Sequence, residues 1–317
     1  MALDLKNLSI KEIRTRVLRA DVPASGAMLR ALRRDPRQGA QALHAGLLRR
    51  IASERRERLR ILKLLRHERA LWRAGAHLVA GVDEVGIGPL AGPVVAAAVI
   101  FEPGKTFVGV DDSKRLDPET RARLAVMIRE NAVGFGIGVA TVPEIDRLNV
   151  YRAGLLAMRR AVEALPVEPQ YVLVDARTIP DVSVPQRSLI KGDQICFSIA
   201  AASIIAKTHR DRLMTEWDSQ YPEYGFCRHK GYATPEHQAA IRRHGPCVLH
   251  RQSYPFLLEL RGHCSREFYA IKERLTRARS EKRLRAVERR LERVAAALNE
   301  SERHKLRVLI ARRRRAC

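Results

Sequence analysis

Hydrophobic positions fall into three regimes along this 317-residue chain. From residue 9 to residue 73 they recur at helical spacing. Ser9 and Glu12 form a capping-box start that Ile10, Ile13 and Val17 continue. After a break over 21–26, around Pro23, a long polar helix is predicted over 38–73, with Leu43, Leu47, Leu48, Ile51, Leu59, Leu62 and Leu65 as its apolar stripe. The middle of the chain differs. Residues 78–85 (LVAGVDEV) and 94–101 (VVAAAVIF) are short apolar runs bounded by Gly and Pro, the pattern of buried strands. Residues 133–142 (VGFGIGVATV) and 171–174 (YVLV), the latter ending at Asp175, predict a third and a fourth strand. Helices are predicted from Asp117-Pro118-Glu119, over 151–165, over the Ala-rich 195–213, and from Thr234-Pro235-Glu236 to Gly245-Pro246. This succession reads as a mixed α/β sheet with an antiparallel start. From about residue 265 the helical period returns. Leu284, Val287, Leu291, Val294 and Leu298 make a seam too short for a free coiled coil, expected to pack on the body or to pair with 306–310. Residues 312–315 read as a frayed basic tail.

Charge changes the picture of the two ends. Lys and Arg number 59 against 35 Asp and Glu, a formal net charge of +24. Residues 1–76 hold 19 basic and 7 acidic side chains, residues 263–317 hold 18 and 7, and the stretch between is nearly neutral with 22 and 21. Two arginine-favouring arms thus flank a neutral body. That is the footprint of a polyanion partner, usually nucleic acid, because guanidinium forks suit phosphate. Solvated helical faces are the plain alternative. The 46% apolar fraction excludes a fully disordered or fibrous chain. The longest apolar run, 94–101, is far below the roughly 18–20 residues of a membrane span. No apolar leader segment is visible, and five cysteines without a CxxC pair argue against a disulfide framework and a structural zinc. A cytoplasmic protein is expected.

Four acids stand out because they adjoin hydrophobic elements. Asp83 and Glu84 close the first strand, Asp175 follows the fourth, and Asp193 sits beside Gly192 before the apolar helix. Gathered carboxylates raise each other's pKa unless a cation compensates, and an all-oxygen set without His or Cys points to Mg²⁺ or Mn²⁺. Beside basic arms, the use of such a set is two-metal phosphodiester hydrolysis. Bland readings stand next to it. Asp193 reads equally as a helix N-terminal acid and Asp175 as a turn residue. Strict alternation sends Asp83 and Glu84 to opposite faces, so that both line one site only if the strand bends at Gly86. The ten histidines show no ligand spacing such as HExxH.

The run GVDEVGIGPLAGPVVAAAV (81–99) resembles the opening strand of the ribonuclease HII family. DDSKRL (111–116), LVDA (173–176), KGDQICFSIAAASIIAKTHRDRLM (191–214) and YPEYGFCRHKGYATPEHQAAIRRHGPCVLHRQSY (221–254) resemble further blocks of that family, in its order. The likeness covers about 76–256, and more weakly the first arm resembles the helical N-terminal extension of bacterial members; the second arm has no counterpart. The resemblance implies a ribonuclease H-like α/β fold, a mixed five-stranded sheet flanked by helices, with basic helical N- and C-terminal arms. The expected division is an extension over 1–75, a catalytic domain over 76–262 and an arm over 263–317.

The resemblance also implies Mg²⁺- or Mn²⁺-dependent endonucleolytic cleavage of RNA in RNA/DNA hybrids, and cleavage 5′ to a ribonucleotide embedded in duplex DNA, leaving 5′-phosphate and 3′-hydroxyl ends. Asp83, Glu84, Asp175 and Asp193 match the family's catalytic and metal-binding acids. Gly86, Ile87 and Gly88 match its glycine loop, and Tyr232 its junction-reading tyrosine. Ser113 and Lys114 read as phosphate contacts, with a solvated loop as the alternative. One departure is material: the family has Arg where this chain has Ile87, which donates nothing to a phosphate or sugar. A hybrid-only ribonuclease is therefore one alternative, and a non-catalytic nucleic-acid binder another, the four intact carboxylates counting against the latter. A resolvase- or transposase-like nuclease is disfavoured by DDSK and HKGYATPEH. The expected partners are hybrid and ribonucleotide-containing duplex rather than a membrane, with a protein partner for the C-terminal arm left open and the chain a monomer.

Overall fold

The computed structural model describes residues 8–18, 25–261 and 264–315. The N-terminal arm is four helices: α1 (Ile10–Leu18), α2 (Gly26–Arg34), α3 (Gln38–Leu64) and α4 (Arg66–Arg73). The expected capping box is present, with the Glu12 N–H donating to Ser9 Oγ (3.3 Å) and the Ser9 N–H to Glu12 Oε2 (2.8 Å). Of the expected break, residues 21–24 lie outside the described residues. Just after it stands α2, nine residues capped by Ser25, whose first residue falls inside the expected break and which the sequence reading leaves unassigned. The single helix expected over 38–73 is two, divided at Leu65, whose ψ of 5° leaves the helical range.

The body follows as β1 (Val79–Val85), β2 (Val94–Ile100), α5 (Pro118–Asn131), β3 (Gly134–Ala140), α6 (Val142–Leu148), α7 (Val150–Glu163), β4 (Tyr171–Asp175), β5 (Gln186–Leu189), α8 (Gly192–Ile195), α9 (Phe197–Asp218), α10 (Phe226–His229), α11 (Pro235–His244) and α12 (Pro255–Leu260). The five strands lie in the order β3-β2-β1-β4-β5. The pairings β1–β2 and β2–β3 are antiparallel, and β1–β4 and β4–β5 are parallel. The hydrophobic pattern marks four of these strands. The fifth, QRSL, is a polar edge strand whose one apolar residue, the buried Leu189, makes no pattern by itself.

Alternation sorts each strand between two cores. Ala80 and Val82 of β1, Val172 and Val174 of β4 and Ala96 of β2 pack on α7. Val79 and Leu173 pack with Ile199 of α9, and Val95 and Ala97 with Ala200–Ala206 of the same helix. Helix α9 lies hard against β1: a Cβ added at Gly81 would stand 2.2 Å from the Ser198 carbonyl carbon. Cys196, the N-cap of α9, offers no side-chain cap of its own. A buried carboxylate from the arm supplies one: Glu68 Oε1 of α4 accepts from the Ser198 N–H (2.8 Å) and Ser198 Oγ (2.9 Å).

The C-terminal arm is α13 (Arg266–Thr276), α14 (Glu281–Val294), a 3₁₀ turn at Ala295–Ala297, and α15 (Glu300–Arg314). The expected seam pairs with Leu306 and Ile310, as one of the two expectations had it, and Phe268, Ile271 and Leu275 of α13 complete a separate small core. Residues 312–315 are not a frayed tail. Helix α15 runs through Arg314, whose Nη2 meets Glu288 at 2.8 Å, while Arg313 Nε donates to the Ala278 carbonyl at 2.9 Å. Among the described residues no helix is long and apolar enough to cross a membrane.

Glu68→Ala removes the acceptor for a buried N–H and a buried hydroxyl at the start of α9. Losing a buried, charge-assisted cap of this kind costs about 2–4 kcal/mol, read as a lower midpoint in denaturant unfolding. A loss under about 0.5 kcal/mol would mean that the cap does not fasten the arm to the body.

Candidate active site

The parallel pairing of β1 with β4 ends at Val82–Val174, so the next residue on each strand, Asp83 and Asp175, stands at an open carboxyl edge. That is where open α/β sheets place their ligand crevices. Both acids belong to the α9 face. Glu84 is registered opposite Ala96 and belongs to the α7 face. Nevertheless an oxygen from each of Asp83, Glu84 and Asp175 lies within 4.8 Å of the others. The bend expected at Gly86 is not what unites them, since β1 stays paired with β2 through Val85. The acids meet round the strand end, where β4 no longer separates the two faces.

Each acid is held differently. Asp83 is buried and accepts from the Glu84 N–H at 2.8 Å. Burial, then the charges of Glu84 and Asp175, push its pKa well above the usual carboxylate range, against a hydrogen bond from Ser203. Glu84 Oε1 meets Arg177 Nη2 at 3.1 Å, while its Oε2 is buried without a partner among the described residues. Burial raises Glu84 to about 7, Arg177 opposing and Asp175 adding. Asp175 accepts from the Gly192 N–H at 2.6 Å. Like charges, dehydration and an orphaned carboxylate oxygen together describe a donor set fit for a hard divalent cation.

Asp193 lies outside that trio. It is the second residue of the four-residue α8, as the helix-start reading has it, and it is buried. Burial, then Asp112, raises its pKa, and Lys114 Nζ counters from 3.5 Å. Lys114 is largely exposed. Ser113 is not on a solvated loop: it is buried, with Oγ 2.7 Å from Ser203 Oγ of α9.

The glycine loop borders the site. Gly86 has a φ of +96°, in the left-handed region that favours glycine, and a Cβ there would meet Arg210 Nε at 2.5 Å. Ile87 packs into the α7-face core. Its carbonyl accepts from Arg251 Nη1 (3.1 Å) and Tyr254 OH (2.7 Å), and the Gly86 carbonyl accepts from Arg251 Nη2. Arg210, also fully buried, donates to the carbonyls of Pro93, Ala91 and Lys230 at 3.0 Å each. Tyr232 is 41% exposed, close to the place of a Gly88 Cβ (3.8 Å), with Lys207 Nζ 5.9 Å from its ring centroid. Its carbonyl accepts from His237 Nδ1 at 2.8 Å, and His237 Nε2 lies 3.1 Å from His250 Nε2. Burial keeps both histidines neutral, lowering each to about 4.

Sequence reading missed Arg177, Arg210, Arg251 and Ser203. Arg210 reads as a partner for the adjacent Asp211, and nothing in the sequence marks the other three.

Residues 80–256 match the family described as Ribonuclease HII, and residues 9–72 match the Ribonuclease HII N-terminal domain. Ribonuclease HII of Myxococcus xanthus (strain DK1622) is 50% identical over 259 residues, which are 81% of this chain and 88% of that one. Ribonuclease HII of Geobacillus thermodenitrificans (strain NG80-2) is 52% identical over 231 residues, 73% of this chain and 89% of that one. The crystal structure of ribonuclease H2 from Pyrococcus horikoshii OT3 superposes with a TM-score of 0.52 at 25% identity, covering 58% of this chain and 97% of that one.

A raised Glu84 pKa favours folding while the group is protonated. That contribution is complete below about pH 4.5 and lost as pH rises through about 7. Metal-free protein should therefore melt at lower temperature as pH climbs through this window. Added Mg²⁺ should raise the melting temperature more at about pH 8 than at about pH 5. Equal cation-induced shifts at the two pH values would remove Glu84 from the ligand set.

Proposed function

The chain belongs to the ribonuclease HII family and is a ribonuclease H-type endoribonuclease, and from that premise we propose that Asp83, Glu84, Asp175 and Asp193 form its active centre. The substrates are the RNA strand of RNA/DNA hybrids and ribonucleotides embedded in duplex DNA, cut 5′ to the ribonucleotide. The observation that carries this reading is the convergence of three carboxylates from both sheet faces within 4.8 Å, one oxygen of Glu84 being buried and unpartnered. Asp83, Glu84 and Asp175 would hold Mg²⁺ or Mn²⁺, with Asp193 beside them. Such ions supply an activated water and stabilise the charge that develops on the leaving 3′-oxygen.

The remaining roles belong to the chain itself. Lys114, exposed and countering Asp193, is a phosphate contact. Ser113 acts indirectly, by tying the Lys114 loop to α9 through Ser203. In the glycine loop the carbonyls of Gly86 and Ile87 are occupied by Arg251 and Tyr254, so its N–H groups are what it offers a ligand. They suit the 2′-oxygen as an acceptor, which DNA lacks. Gly88 lets a sugar approach, and Tyr232 stacks on sugar or base with Lys207 close by. The basic arms add phosphate contacts that do not depend on sequence.

The deciding assay offers an RNA/DNA hybrid and a DNA duplex with one ribonucleotide to the same protein, with product ends mapped. Cutting of both supports main-chain recognition. Cutting of the hybrid alone would favour the narrower activity that Ile87 suggests.

Asp83→Asn should leave hybrid binding near wild type and the melting temperature equal or higher, since an acid that burial and its neighbours make costly to ionise gives way to a neutral amide. Turnover should fall at least about hundredfold, because metal-assisted charge stabilisation is worth several kcal/mol. Activity within about tenfold of wild type would exclude Asp83 as a ligand.

Removing residues 264–317, which carry their own apolar core, should weaken binding without abolishing cleavage. Each lost phosphate contact flattens the dependence of log K on log salt by about 0.7–0.9. An unchanged slope would assign this arm to something other than nucleic acid.

A further inference from the structure

Arg177 is placed by an unusual turn. Asp175 ends β4, and Ala176 then takes a φ of +52°, a left-handed conformation that alanine rarely adopts, fixed by its N–H donating to the Leu189 carbonyl at 2.9 Å. The chain thus turns the next side chain toward the carboxylate cluster. Arg177 Nη2 meets Glu84 Oε1 at 3.1 Å, and its guanidinium carbon lies 5.0 Å from the Tyr151 ring centroid. Gly154 of α7 leaves the room: a Cβ there would stand 2.7 Å from Arg177 Nη1 and 3.2 Å from Ile87 Cδ1. The guanidinium therefore lies between the acids and the glycine loop, against the side chain of the loop residue that has no donor.

It is also half satisfied. Nη1 is buried and has no hydrogen-bond partner among the described residues. A buried, unpaired donor on a cation is costly and calls for an acceptor that these residues do not offer. Glu84 cannot serve both roles, because a carboxylate engaged with a divalent cation has less charge to offer the guanidinium. The side chain is 17% exposed, and Tyr151, over which it lies, is 56% exposed.

We propose that Arg177 is a substrate-binding residue: it leaves Glu84 and takes a backbone phosphate of the nucleic acid next to the glycine loop. It supplies, from the turn after β4, the guanidinium that Ile87 does not supply from the loop. A guanidinium fork fits two phosphate oxygens, and a contact of this kind positions the strand without reading its sequence. This inference rests on the reading of the carboxylate cluster as the nuclease centre. The two fail separately, because that reading is tested by turnover of Asp83→Asn and this one by binding.

The test measures binding of an RNA/DNA hybrid in chelator, where it is not cut, across a salt series, and kcat and KM with Mg²⁺. Arg177→Met should bind about ten- to a hundredfold more weakly and lose about 0.9 from the salt slope, with KM rising more than kcat falls. Adding Ile87→Arg to Arg177→Met should recover most of the affinity and the slope. Unchanged affinity and slope with a reduced kcat would show that Arg177 serves Glu84 alone and would overturn the proposal. No recovery from Ile87→Arg would overturn the claim that the two positions address one phosphate. Should Arg177→Met fold poorly, Arg177→Lys keeps a charge opposite Glu84 but loses the fork. A raised KM with wild-type melting temperature supports the proposal, and a wild-type KM counts against it.

Discussion

The contact on which this structure turns is the crossing of α9 over β1. At Gly81 the first turn of the helix lies so close to the strand that no side chain fits between them. That approach fixes the depth and direction of α9, and three features follow. Ser203, one and a half turns along, reaches Asp83 and Ser113 together, joining strand, helix and the Lys114 loop. The bare N-terminus of α9 comes to lie under Glu68, so the basic arm is fastened by capping the helix that frames the site. Arg210, further along, reaches across to the carbonyls of Ala91 and Pro93.

The carboxylate edge is where local rules conflict, and the conflict is informative. A stable design would not put Asp83 and Glu84 at a dehydrated strand end beside Asp175, because each ionisation opposes the next. The surrounding scaffold sustains it. Strands β1 and β2 are buried along almost their whole length, and both sheet faces are covered by Ala-rich helices that pack closely. The unfavourable charge is thus carried by the stiffest part of the molecule. A site of this kind gives up stability for a poised electrostatic field.

How much of this was legible in sequence depends on whether a residue's role follows from its neighbours in the chain. Asp83, Glu84, Asp175 and Asp193 are all visible because each adjoins an apolar element, and the resemblance adds only their common role. The alternation rule was right about faces: Asp83 does share the α9 side and Glu84 the α7 side. Its consequence was misjudged, because the pairing partner β4 stops at Asp175, and a neighbour's end is not written in the strand itself. Strand β5 escapes the hydrophobic pattern because Leu189 is its one apolar residue, and helix α2 because its start falls inside the break expected over 21–26. The tail at 312–315 looked frayed because a run of arginines has no apolar period, yet Glu288 and the Ala278 carbonyl hold it as helix.

Least legible were the arginines that hold the glycine loop. A guanidinium in a core is ordinarily read as half of an ion pair, but Arg210 and Arg251 take main-chain carbonyls instead, and Tyr254 adds a hydroxyl on Arg251. Burial lowers Arg210 to about 10, the charge of Arg251 adding, which leaves it protonated at neutral pH. Two cations so placed do what a hydrophobic core cannot: they satisfy the carbonyls of an irregular, water-excluded segment that forms no sheet ladder. The loop is held rigid by its oxygens, which accept from Arg251 and Tyr254. That clamp explains how Ile87 fits. The loop side chain is not part of the clamp, so an apolar residue can pack inward on the α7 core without disturbing the main chain. The geometry of the loop is thereby separated from the identity of its side chain.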